Sequence, residues 1–102
     1  MKKYKRVTCD DGFSMSVQAS VSAYCTPRND SGPYSEVEVG YPNCRDEMLI
    51  QYAENPDRPT ETVYGYVPCL TVYMVITAHG GMTEGQVPPG VPVYEHIKWS
   101  KE

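Results

Sequence analysis

Phe13-Ser-Met-Ser-Val-Gln-Ala-Ser-Val-Ser-Ala23 is the stretch on which the fold class turns. Phe13, Met15, Val17, Ala19, Val21 and Ala23 alternate with Ser14, Ser16, Gln18, Ser20 and Ser22, and a strand sends successive side chains to opposite faces at that period of two. It reads as a half-buried strand, with the apolar row on a core and the serine row toward solvent. Asp10-Asp11-Gly12 just upstream is turn chemistry, which makes Tyr4–Cys9 the candidate partner strand of a hairpin.

Downstream, Thr26-Pro-Arg-Asn-Asp-Ser-Gly-Pro-Tyr34 is dense in turn formers and reads as a loop. Glu36-Val-Glu-Val-Gly-Tyr41 alternates acidic with apolar residues, as an exposed strand does, and Pro42-Asn43 ends it. Asp46–Ala53 is expected to be a short helix, since Met48, Leu49 and Tyr52 fall on one face. A second loop, Asn55-Pro-Asp-Arg-Pro-Thr60, leads into a strand over Thr62–Val67, where Gly65 marks a bulge or a close approach. Pro68–Gly80 carries two patterns. Leu70, Val72, Met74 and Ile76 alternate, while Cys69, Val72, Tyr73 and Ile76 make a helical stripe. Pro68 suits a first helical position, His79 a last turn and Gly80-Gly81 a C-terminal stop, and these cues select the helix.

Residues 85–92 form a Pro-rich extended connector, after which Val93–Trp99 is expected to close as an edge strand and Ser100–Glu102 to fray. The chain is thus expected to be a single α+β domain over residues 1–102. A small antiparallel sheet of about four strands is backed by one principal helix and joined by long Pro/Gly-rich loops, and residues 1–6 form a basic N-terminal arm. The order of the strands does not follow from the sequence.

Composition narrows the function classes. The chain is 40% hydrophobic, with nine Tyr against a single Phe and a single Trp, so most of its aromatic mass suits half-wet surfaces. Lys2, Lys3, Lys5 and Arg6 hold four of the nine basic residues, leaving five against thirteen acidic ones over the rest of the chain. An acidic body with a short basic arm is poorly built to grip a nucleic-acid backbone. No segment is apolar over the roughly 20 residues a membrane span needs. The start of the chain lacks the apolar run of a secretory signal, so cytoplasmic residence is expected.

Cys9, Cys25, Cys44 and Cys69 have no close pair, so they are expected to be free thiols used as small buried hydrophobes, without disulfide or metal. Phosphate-cradling glycine motifs and calcium-loop spacing are both absent from the sequence. His79 is expected to complement a helix dipole, and no nucleophile is tied to it by motif. Catalytic residues, metal and cofactor are therefore not expected. The most loaded segment is the loop Tyr24–Tyr34, which sets Arg28, Asn29 and Asp30 between two aromatics and two prolines. A stiff loop bearing a guanidinium, an amide and a carboxylate suits recognition of a partner surface or a nucleotide. The bland alternative is a loop satisfied internally, with Arg28 paired to Asp30 or to a glutamate.

Several strings recur, in order, in a known group. Asp11-Gly-Phe-Ser-Met-Ser-Val-Gln-Ala19, Tyr24-Cys25, Pro27-Arg-Asn-Asp30, Gly32-Pro-Tyr34 and Val37-Glu-Val-Gly-Tyr-Pro42 are followed by Tyr52-Ala-Glu-Asn-Pro56, Arg58-Pro-Thr60, Thr62-Val-Tyr-Gly-Tyr-Val-Pro68 and His79-Gly-Gly81. Over residues 5–92 the chain resembles an uncharacterised family of short proteins from tailed bacteriophages and prophages. Segment 69–78 is more β-branched than that family's pattern. The resemblance implies an origin more than an activity, and favours a binding module over an enzyme. The expected function is a phage accessory protein, in the host cell cytoplasm, that binds and blocks a host protein or protein complex such as a component of an antiviral defence system. The alternative is a small-ligand (nucleotide) or single-stranded nucleic-acid binder. It would use Tyr24, Tyr34, Tyr64 and Tyr66 as stacking platforms and Arg28 as an anion contact. A homo-oligomer is compatible with either reading.

Overall fold

The computed structural model describes residues 3–93. The hairpin signalled by Asp10–Gly12 forms, with β1 (Val7–Cys9) antiparallel to β2 (Ser14–Gln18) and Val7 opposite Met15. Met15 and Val17 are fully buried, whereas Ser14, Ser16 and Gln18 lie half-buried on the other face. A one-residue slip would exchange the two rows, so burial of the apolar row pins the register. β3 (Glu36–Gly40) lies against β2 with Val39 opposite Val17, and β4 (Val63–Pro68) pairs with β3. The helix α1 (Cys69–Ala78) follows β4 directly. The chain then returns as β5 (Met82–Glu84), which pairs with β1.

The sheet has five strands in the order β4-β3-β2-β1-β5, every neighbouring pair antiparallel. Since β4 and β5 are its opposite edges, α1 must cross the sheet face between them. Four inter-strand spacings amount to about 19 Å, and ten helical residues span about 15 Å, so one short helix nearly bridges the gap. Its buried stripe, Cys69, Val72, Val75 and Ile76, joins Val7, Met15, Val17, Val37 and Val39 in one core cluster. The fold is α+β with one principal helix, as the sequence leads one to expect, and the fifth strand is the addition. Met82–Glu84 is too short to display a period of two.

Three local expectations are corrected. First, the strand beginning at Ser14 stops at Gln18, and Val21 is 55% exposed. Ser20–Ala23 is a turn in which the Ala23 N–H donates to the Ser20 carbonyl at 3.2 Å. Ala19 and Ala23 are both buried, one on each side of the turn, so the alternation runs on in the sequence after the strand has ended.

Second, Asp46–Ala53 is not an α-helix. Asp46 Oδ1 accepts the Met48 N–H at 2.9 Å, and only a 3-10 turn, Ile50–Tyr52, follows. Eight residues cannot offset helix nucleation when an Asp side chain offers the backbone a local turn. Third, Pro68 is the N-cap and the last residue of β4, opposite Glu36, rather than the first helical residue.

The basic arm is docked where it is described. The Tyr4 N–H donates to Gln18 Oε1 at 3.0 Å, and Arg6 donates to Ser14 Oγ and to the carbonyls of Ser14 and Tyr41. The connector expected over 85–92 carries no helix or strand. The expected edge strand Val93–Trp99, beyond its first residue, and the tail Ser100–Glu102 lie outside the described residues.

Candidate functional site

The loop Tyr24–Tyr34 is closed by its own polar groups. Asn29 Oδ1 accepts the N–H of Ser31 and of Gly32, at 3.1 and 2.9 Å. Asp30 Oδ1 accepts the Val21 N–H at 2.9 Å. Among the described residues Arg28 pairs with neither Asp30 nor a glutamate: its Nε donates to the Ala23 carbonyl at 3.0 Å, and its guanidinium lies 5.5 Å from the Tyr24 ring centroid. Asn29 and Asp30 thus act as turn closers, while Arg28 is oriented over an aromatic ring.

The four tyrosines divide. Tyr34 is buried, with its hydroxyl donating to the Asn29 carbonyl at 2.8 Å, and Tyr64 is fully buried, with its hydroxyl donating to the Pro59 carbonyl. Burial pushes both phenols above their usual pKa. Neither ring offers a face to solvent, so Tyr34 and Tyr64 are corrected from stacking platforms to core residues: each buries its ring and satisfies its hydroxyl on a loop carbonyl. Tyr24 and Tyr66 remain exposed, at 39% and 45%. Their ring centroids are 6.0 Å apart and their planes are tilted by 33°.

A β-bulge brings this pair together. Val37 opposes Val67 and Val39 opposes Tyr64, so Gly65 and Tyr66 on β4 face Glu38 alone on β3. Tyr66 takes a left-handed conformation, φ 54°, which places its ring outside. Its amide, lost to the ladder, donates to the Tyr24 carbonyl at 3.1 Å. A Cβ on residue 65 would lie 3.3 Å from Tyr24 Cβ, so glycine is what admits the tyrosine here. On the other side, the Tyr24 N–H donates to Glu38 Oε1 at 2.9 Å. The Glu54 N–H donates to the Val63 carbonyl at 3.0 Å, which brings the 52–54 segment alongside β4. Tyr24, Tyr52, Ala53, Glu54, Gly65 and Tyr66 line a shallow cleft of about 250 Å³.

A second cluster escaped the sequence reading. His79, the C-cap of α1, accepts or donates through both ring nitrogens: Nδ1 lies 2.7 Å from Asp11 Oδ2 and Nε2 lies 2.8 Å from Asp46 Oδ2. The imidazole is stacked on Phe13, with centroids 4.0 Å apart and planes within 6°. Burial pulls the imidazole pKa down, but the two carboxylates outweigh it and hold it above the ordinary value of 6.5. Asp11 is held below the usual carboxylate range, first by the Phe13 N–H and then by His79. With both nitrogens bound to carboxylates, His79 is no free base. The three residues are far apart in sequence, so no spacing motif could have joined them.

Asp11, Gly12, Phe13, Asn43, Cys44 and His79 line a second cleft, of about 220 Å³. All four cysteines are free. Cys9, Cys25 and Cys69 are buried as expected, but Cys44 is exposed, because it lies in the loop after Pro42 rather than on a core-facing element. Burial, with Asp11 nearby, pushes the Cys9 thiol to about 11, and burial raises Cys69 too, so neither is a ready nucleophile. Among the described residues no group of His, Cys, Asp and Glu is arranged to hold a metal ion, and no helix is long and apolar enough to cross a membrane.

Compared with known proteins, the chain matches no family model, no curated protein and no solved structure.

Proposed function

We propose that this protein is a binding module, a phage accessory protein that docks on a host protein or protein complex in the host cytoplasm and blocks it, through the face built by Tyr24, Arg28 and Tyr66. The observation that carries this reading is the outward Tyr66 in a left-handed conformation, paired with Tyr24. A bulky residue at positive φ costs about 1–2 kcal/mol, and such strain is kept where the surroundings over-determine it, often at binding sites. Tyrosine and arginine are the side chains that dominate protein interfaces: large, rigid and amphipathic, with little entropy to lose on docking. Arg28 is already oriented by Ala23 and the Tyr24 ring.

A protein partner fits this face better than a nucleotide or a single strand. Only two of the four tyrosines offer a ring, Glu54 lines the cleft and the Glu38 carboxylate is bonded to the Tyr24 amide, an unfavourable setting for phosphate.

The test is affinity capture from phage-infected host extract, comparing the natural chain with Tyr66→Gly and Arg28→Ala. Glycine accepts positive φ freely, so Tyr66→Gly should melt at the same temperature or higher and yet lose the captured partner. Arg28→Ala should bind at least tenfold more weakly. If Tyr66→Gly captures the same partner with unchanged affinity, the face is not the docking site. If the species retained is a nucleotide or oligonucleotide, the alternative ligand class takes its place.

A further inference from the structure

Asp11, His79 and Asp46 come from the β1–β2 turn, the end of α1 and the turn that opens the 46–53 segment. A neutral imidazole carries one N–H and can donate to only one carboxylate; two short contacts to two carboxylates require the imidazolium. The two acceptors are unequal. The Asp46 side chain is 8% exposed and that of Asp11 is 50% exposed. Leaving the buried carboxylate against an unprotonated nitrogen costs far more than returning the exposed one to water. Asp11 also keeps a second bond whatever His79 does, because its Oδ1 accepts the Phe13 N–H at 2.9 Å.

We propose that His79 is a proton-operated latch that fastens both Asp11 and Asp46 when protonated and, on losing its Nδ1 proton, keeps Asp46 and releases the Asp11 side chain.

Among the described residues the groups facing the imidazole are few. Asp11 comes from the β1–β2 turn, and the Asp10 side chain borders Gly80. Asp46 comes from the 46–49 turn, and Cys44 lines the same cleft. Arg45 is paired with Glu47 at 2.6 Å, turned to its own neighbour. α1 itself carries no acidic or basic residue. The charges that face His79 from the described residues are therefore negative, which favours the imidazolium at neutral pH.

Release is local. The Asp11 N–H still donates to the His79 carbonyl at 3.2 Å and the Asp10 N–H to the Gly81 carbonyl at 3.0 Å, so the turn stays tethered while the Asp11 carboxylate leaves the imidazole. What opens is the cleft beside Phe13 and Cys44. The latch is fastened between the lowered pKa of Asp11 and the raised pKa of His79, and it opens as pH rises through the latter.

The test is an NMR titration of ¹⁵N-labelled imidazole in the full chain. The natural protein should titrate above 6.5 and give, once deprotonated, the tautomer with its proton on Nε2. Asp11→Asn should lower the titration point and keep that tautomer. Asp46→Asn should move the proton to Nδ1, since Asp11 is then the only carboxylate left. A deprotonated natural protein carrying its proton on Nδ1, or titration at or below 6.5, overturns the proposal, and both are read on the unmodified chain whether or not either variant folds.

Discussion

Val17 and Ser16 are neighbours in sequence and opposites in environment, one fully buried opposite Val39 and the other half-buried under the Gln18 side chain. Val17→Asp would place an unpaired carboxylate in the core, a cost of several kcal/mol, comparable to the roughly 5–15 kcal/mol stability of a domain. It should leave the chain unfolded by circular dichroism at 25 °C, whereas Ser16→Asp should melt within a few degrees of the natural protein. At Gly65 the constraint is space. A valine there would press on the Tyr24 Cβ, 3.3 Å from the new Cβ. Gly65→Val should therefore leave the sheet formed but separate the Tyr24 and Tyr66 rings, seen as loss of their cross-peaks in a nuclear Overhauser spectrum.

The helix shows how an ambiguous pattern is decided. Its β-branched residues satisfy a strand and a helix alike in sequence, and the structure buries Cys69, Val72, Val75 and Ile76 while leaving Leu70 and Met74 exposed. Had the segment been a strand, Leu70, Val72, Met74 and Ile76 would share one face. The helical result yields a paired prediction. Ile76→Ala should destabilise by about 2–5 kcal/mol through the cavity it leaves, and Leu70→Ser by under about 1 kcal/mol because its side chain is already in water. Chemical denaturation of the two variants checks this. Termination depends on Gly80, whose φ of 94° suits glycine and lets the Gly81 N–H return to the Ile76 carbonyl at 2.9 Å.

For the folded chain as a unit, the pH dependence follows from the latch. His79 is raised, so its contribution is present at low pH and lost as pH climbs through its folded pKa. Asp11 is lowered, so its contribution is lost as pH falls through its own. Thermal melting measured against pH should decline on both sides, and His79→Gln should flatten the upper limb. The thiols offer a second measurement. Native protein should react with a thiol reagent quickly at one site, Cys44, and at all four only after denaturation, since the other three are buried.

Much of this architecture was written in local sequence. The period of two over Phe13–Gln18, the acidic-apolar alternation of Glu36–Gly40 and the proline-to-glycine limits of α1 each report a preference that a few neighbouring residues settle. The loop residues Arg28, Asn29 and Asp30 were legible as a group, though not in their roles, because a side chain's partner depends on what the fold sets beside it. Tyr34 and Tyr64 look no different from Tyr24 and Tyr66 as letters. Only the bulge at Gly65–Tyr66 and the closing of the loops over the sheet send two rings inward and two outward. The tertiary structure alone assembles Asp11, Asp46 and His79, which are separated by 33 to 68 residues across the contacts they make. Periodicity is a property of neighbours along the chain and can be read there; convergence of distant side chains on one imidazole depends on chain crossings that no local pattern encodes.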